Sequence, residues 1–347
     1  MTKYLLKRIL YIFVVFVILS FLMYLIYNMI PFNRADWLAD QVESQYKKDP
    51  EGWAALRKAY HVQLGYTDAA GNKINIVRRW LNWLGVTKLN GQYNGLLQGN
   101  FGTSYSNGTR KPVMDVLKDP MKNTIFINIF ATILALGITI PLGIFCAVKK
   151  GSKRDTAVQI GSIIGYSMPI FIIAILFIFL FSMKLKIFPV SGQKTPGSNY
   201  TGMRAFVDRL YYMALPLIVM TFCSLGGMTR YVRASMIESL SMDCIRTARA
   251  KGVKEKTVIY SHAFRNALIP IVTLVVGWFL GIFSGSVMIE NIFGLTGMGK
   301  VYINALSENN FDVVLTLQMF YVFISLAGNL LIDILYGFID PRIRVSA

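Results

Sequence analysis

The sequence predicts an all-α polytopic membrane protein with six transmembrane helices and an extended loop between the first and second spans. Three observations carry this. Apolar residues make up 54% of the chain and mean hydropathy is +0.48, beyond the usual range of soluble domains. They gather into runs of about 20 residues, the length a helix needs to cross the hydrocarbon core. The net charge of +18 sits mostly in short turns flanking those runs, as orientation signals do, and this distribution argues against a nucleic-acid surface.

The first run, Ile9 to Ile30, follows Lys3, Lys7 and Arg8. It is longer than an apolar signal core and no small-residue cleavage site follows, so an uncleaved span with a cytosolic N-terminus is expected. Residues 31–121 are polar and charged, and read as an extracytoplasmic loop or cap. Residues 122–347 then form a core of five further spans. The second span is expected over Ile125 to Val148, kinked at Pro141, with Lys149, Lys150, Lys153 and Arg154 marking a cytosolic turn. The third, Ala157 to Phe181, contains Ser167 and Pro169, which free backbone carbonyls and read either as a packing kink or as lining of a passage. A basic outer loop from Ser182 leads to the fourth span, Tyr211 to Met228.

Arg230 to Pro270 is too polar to cross a bilayer. Ile237, Leu240, Cys244, Ile245 and Ala248 fall at helical spacing on one face, with Arg246, Arg249 and Lys251 to the sides. Gly252 breaks that pattern, because a residue free to take positive φ ends one helix and lets another start at a new angle. A basic amphipathic segment lying on an anionic leaflet would share this composition. Its apolar face is narrow and lacks Trp and Phe, and a surface anchor has no need of the corner. The fifth span, Ile269 to Ile289, carries a small-residue ridge at Gly281, Ser284 and Gly285, suited to close helix packing or to lining a passage. The sixth, Leu315 to Phe338, contains Asp333, for which a structural role is expected near Arg342. The three cysteines, Cys146, Cys223 and Cys244, offer no disulfide framework.

In the polar segment, ArgThrAlaArgAlaLysGly followed by HisAlaPheArgAsnAlaLeuIlePro resembles the cytoplasmic coupling loop of permease subunits of the dipeptide, oligopeptide and nickel branch of ABC importers. Ala248 and Gly252 take the matching places; Arg246 stands where many relatives have Glu, and Arg265 where many have Pro. GluAsnIlePheGlyLeuThrGlyMetGlyLys from Glu290 and AspProArgIleArg from Asp340 match the same family, and the resemblance covers nearly the whole chain except about Asp36 to Leu97. It implies the type I ABC importer permease fold, with both termini cytosolic in a bacterial cytoplasmic membrane. It implies that Ile237, Leu240, Asp243, Ile245, Thr247, Ala248, Ala250 and Gly252, within the loop 230–268, couple to an ATPase. It also offers Glu290, Asn291, Gly294 and Gly297 as a contact for an arriving receptor. The implied partners are a second homologous permease subunit, two ABC ATPase subunits, an extracytoplasmic peptide-binding protein and membrane lipid.

The chain has no phosphate-cradling GlyxxxxGlyLys loop, no HisGluxxHis and no CysxxCys, and its two histidines are His61 and His262. A non-catalytic subunit is therefore expected, with no metal or cofactor of its own and with ATP and Mg on the partner ATPases. SerLeuGlyGlyMet from Ser224 resembles an ATPase signature superficially, but lies at the end of a span. Peptides are the favoured cargo, with a nickel complex or another small solute as the alternative. An ion-gradient-driven secondary transporter is the alternative of another class; it predicts carboxylates in mid-membrane, where Asp333 stands alone.

Overall fold

The computed structural model describes residues 2–30, 33–89, 91–106 and 109–339. The motif from Asp340, Arg342 included, lies outside them, as does Pro31. Among the described residues four helices are long and apolar enough to cross a membrane: α1 (Thr2–Met29), α5 (Val113–Val148), α8 (Gly202–Leu240) and α14 (Phe311–Ile339). Two bent pairs bring the number to six if each is one span. The first is α6 (Lys153–Ser167) with α7 (Ile170–Phe177) and the π-turn Ile178–Lys184, bent by 106°; the second runs from α10 (Glu255–Thr257) through the π-turn Val258–Ala263 into α11 (Phe264–Gly281), bent by 62°.

The chain divides into two units. One comprises Thr2–Val116 and Asn304–Phe323, so α1 groups with the polar block that follows it. That block holds α2 (Arg34–Asp40), α3 (Pro50–Gln63) and α4 (Ile76–Leu84), each started by a side chain that accepts from an otherwise orphaned N–H: Asn33 from Ala35, Asp49 from Gly52 and Asn75 from Val77. Helix α4 leans on α1: Trp80 Nε1 donates to Ser20 Oγ at 3.2 Å, Phe21 meets the Trp80 ring edge-on at 5.2 Å, and Tyr24 lies 5.5 Å from Trp83. A β-hairpin, β1 (Thr103–Ser106) against β2 (Thr109–Pro112), departs from the all-helical expectation. Asn107 and Gly108, between the two strands in sequence, are outside the described residues. Arg34 fastens the hairpin, with Nη1 on Asp312 at 2.6 Å and Nη2 donating to Thr103 O at 2.7 Å, while Thr103 N–H donates to Asp312 at 2.9 Å.

The other unit comprises Leu117–Ile303 and the chain from Ile324 onward. Helices α6 and α8 approach closely because Gly226 has no side chain: a Cβ there would run into the backbone of Ser162. This explains the first glycine of SerLeuGlyGlyMet as a packing device; a Cβ at the second, Gly227, would meet only the Tyr166 ring at ordinary contact distance. A buried cluster around Ile173, Met213, Leu217, Ile289 and Phe293 forms one apolar core, and Met228, Val232, Met236, Ile245, Val258 and Ile271 form a second. The short helices α12 (Val287–Ile292) and α13 (Met298–Ser307) follow α11.

Three expected boundaries move. The fourth span is embedded in a helix that continues to Leu240, because hydropathy reports where lipid ends, not where hydrogen-bonded helix ends. The fifth stops at Gly281, and Val287–Ile292 is a separate helix. At Ser167 and Pro169 the chain turns through 106°, far more than a kink: Met168 is extended and Pro169, with no N–H to give, starts α7.

Candidate functional site

The second core holds a helical elbow. Helix α8 ends at Leu240; Met242 is extended, and α9 (Asp243–Ala250) starts in a new direction. One continuous face from Ile237 to Ala248 was expected, whereas the residues fall on two helices. They still converge: Ile245 is 0% exposed, and Ile237, Leu240 and Ala248 pack half-buried against the same cluster. Cys244, placed on the apolar face by spacing, is exposed because the break at Met242 rotates α9 about Ile245. Asp243, Arg246, Thr247, Arg249 and Ala250 are exposed too, so α9 is held by one deeply buried anchor and turns the rest of its surface to solvent.

The corner comes after it. Gly252 has φ +76°, its N–H donates to Arg249 O at 2.9 Å, and Val253 N–H donates to Ala248 O at 3.2 Å. This pair of bonds is a Schellman cap, closed by the apolar contact of Val253 and Ala248 with the core. Arg249 then spans the corner as a fork on Glu255, with Nη2 to Oε1 at 2.7 Å and Nε to Oε2 at 3.1 Å. Ser239 Oγ donates to Ala263 O at 2.5 Å, tying the end of α8 to the π-turn.

Behind the elbow, Asp155 is 1% exposed and receives Arg233 Nε and Nη2, each at 2.8 Å, together with Gly151 N–H at 2.9 Å. Spacing along the chain gives no hint of this ion pair, since its members are 78 residues apart. It locks the start of α6 to α8.

The residues suggested for a passage separate. Ser167 and Pro169 are exposed at the sharp bend. Gly281 and Ser284 are exposed, and a Cβ at Gly281 would meet nothing within 4 Å, so no close packing of this chain explains that glycine. Gly285 does pack closely, its backbone against Gly299. Asn128 satisfies the end of α11, with Nδ2 donating to Ile282 O at 2.9 Å and Ser284 O at 2.8 Å.

Of the residues offered for receptor contact, Asn291 and Gly294 are exposed, whereas Glu290 is 3% exposed and Gly297 is buried against it. Glu290 accepts from Lys300 N–H at 2.7 Å and Thr124 Oγ1 at 3.1 Å, and Thr124 in turn accepts from Met298 N–H at 2.9 Å. Burial pushes its carboxyl above the usual carboxylate range, against the pull of these donors. Glu290 therefore organises the glycine-rich turn from inside. Asp333 is half-buried in α14.

Residues 139–345 match the family described as the binding-protein-dependent transport system inner membrane component. The chain belongs to this family. It is 36% identical over 270 residues, 77% of this chain and 80% of the relative, to the oligopeptide transport system permease protein AppB of Bacillus subtilis (strain 168). It is also 36% identical over 269 residues to the dipeptide transport system permease protein DppB of Escherichia coli (strain K12), covering 72% of this chain and 78% of that one. Among solved structures, inward-facing conformations of the MetNI methionine ABC transporter align with a TM-score of 0.50 at 16% identity, covering 65% of this chain and 98% of the other. The match supports a shared fold. The family places the chain in a membrane as a permease component of a binding-protein-dependent importer, consistent with the non-catalytic role expected from its motifs.

Proposed function

We propose that this chain is one half of the translocation passage of an ATP-driven importer for oligopeptides or dipeptides, and that its elbow is the joint through which ATPase subunits move it. In this reading the two bent pairs are spans, six in all, both termini are cytosolic, and a second permease subunit completes the passage. An extracytoplasmic binding protein delivers cargo, and Asn291 and Gly294 are the surface it would meet. ATP and Mg reside on the ATPase partners.

The observation that carries the reading is the construction of α9. An exposed, polar, eight-residue helix is fixed to the membrane core by Ile245 and closed by a Schellman cap, so force applied to it reaches α8 and α11 instead of bending a loop. Nucleotide state shifts the passage only if ATPase closure favours one setting of this joint over the other. Peptide cargo is proposed because the relatives AppB and DppB carry peptide permease names. Proteoliposomes holding the full importer test it: tripeptide uptake is expected to need ATP and the binding protein and to survive collapse of the proton gradient. Uptake that follows the proton gradient without ATP, or transport of nickel complexes in place of peptides, would overturn it.

A further inference from the structure

The unit formed by Thr2–Val116 and Asn304–Phe323 holds a half-open cavity of about 430 Å³, within the size range of small-molecule sites. Three charged side chains line it: Arg34, Arg79 and Asp312. Arg34 and Asp312 neutralise each other at 2.6 Å. Arg79 is left over. Its guanidinium lies 4.0 Å over the ring of Tyr66 and its Nη2 donates to Asn28 Oδ1 at 2.7 Å. Its Nε is sealed from water without an acceptor, and among the described residues no carboxylate lies within ion-pairing distance of it. The sealed Nε is out of a ligand's reach, but Arg79 also lines the cavity, and a guanidinium stacked on an aromatic ring and braced by an amide holds its remaining N–H groups in a fixed plane suited to a planar anion.

We propose that this cavity binds the C-terminal carboxylate of a peptide, with Arg79 as the anion-recognising residue. The rest of the lining fits a peptide better than a bare anion. Trp83 and Tyr105 offer aromatic walls, and the side-chain amides of Gln92 and Asn94 line the same space, Asn94 with its Oδ1 accepting from Asn100 and its amide N–H groups left to donate to a peptide backbone. The excess of one positive charge selects a carboxylate, and Arg79 pairs with it in the manner of guanidinium and carboxylate elsewhere. The choice of a peptide as the ligand rests on the transport reading above; the site itself does not, since none of its residues belongs to the elbow.

The test uses the complete importer in nanodiscs without its binding protein, titrated calorimetrically with trialanine, trialanine amide and inorganic phosphate. Trialanine is expected to bind and the amide to bind roughly ten- to a hundredfold more weakly, the scale of one charge-assisted bond. Arg79→Met should make acid and amide equivalent, while Arg79→Lys keeps part of the difference. Asn28→Ala, which removes the brace on Arg79 and keeps its charge, should also narrow the difference between acid and amide, so the assignment to this cavity is tested even if Arg79→Met disturbs folding. Equal binding of acid and amide, no binding of trialanine, or displacement by phosphate at equal concentration would overturn the proposal, the last by showing a site for phosphate groups instead. ATP-driven uptake is scored separately in proteoliposomes with the binding protein added, so loss of transport and loss of the acid preference remain distinguishable.

Discussion

Asp155 is removed from water while Arg233 keeps part of its surface exposed, and the geometry that repays the desolvation of the carboxylate is the two-pronged contact at 2.8 Å. Removing one partner strands the other: Arg233→Met is expected to destabilise by about 3 kcal/mol, and Asp155→Asn added to it should restore much of the loss. Thermal unfolding of the four variants in detergent gives the comparison; additive losses would contradict the account. Glu290 behaves differently, because burial raises its folded-state pKa above the unfolded value. Its contribution to stability is fully present below the ordinary glutamate value of about 4.3 and is lost as pH rises through the raised folded value. Wild-type stability should fall across that window, and Glu290→Gln should flatten the slope; parallel slopes would contradict it. Neither role was legible in the sequence. The ion pair joins distant segments, and an acid within a glycine-rich turn reads as a surface residue until Thr124 and the Lys300 N–H are found around it.

At the scale of elements, the glycine corner was legible because positive φ leaves a local mark on residue type. The break before α9 was not: Ser241 and Met242 carry neither Gly nor Pro, and the extended backbone at Met242 is imposed by packing of Ile245 into the core. A Cβ at Gly252 would meet nothing within 4 Å, so Gly252→Ala should cost only the left-handed backbone penalty of about 1 kcal/mol and leave ATPase attachment intact. Gly252→Pro loses the bond to Arg249 O and demands negative φ, so the cap must open. The yield of ATPase subunits co-purified with each variant should separate them, with Pro losing most of the attached ATPase. Equal yields would mean that the corner does not set the joint.

For the whole molecule, the first and last apolar runs were legible as single unbroken helices: α14 contains the whole of the last, and α1 all but the final residue of the first. Least legible were the third run, which a bend of 106° breaks into two helices, and the fifth, which ends at Gly281 before the separate helix Val287–Ile292. The polar block was read as a cap, but its attachment to α1 through Trp80 and Trp83 shows in the sequence only as two aromatic residues three apart. What unites the account is sidedness: the elbow must face the compartment that holds ATP. Cys244 is exposed on α9, while Cys146 is buried and Cys223 half-buried, so a variant retaining only Cys244 reports directly on the joint. The most direct measurement is labelling of this cysteine by a membrane-impermeant maleimide in inverted and right-side-out vesicles, with and without the ATPase subunits. The account predicts rapid labelling in inverted vesicles stripped of ATPase, protection when the ATPase rebinds, and none in right-side-out vesicles; labelling from the outer side, or a rate indifferent to the ATPase, would contradict it.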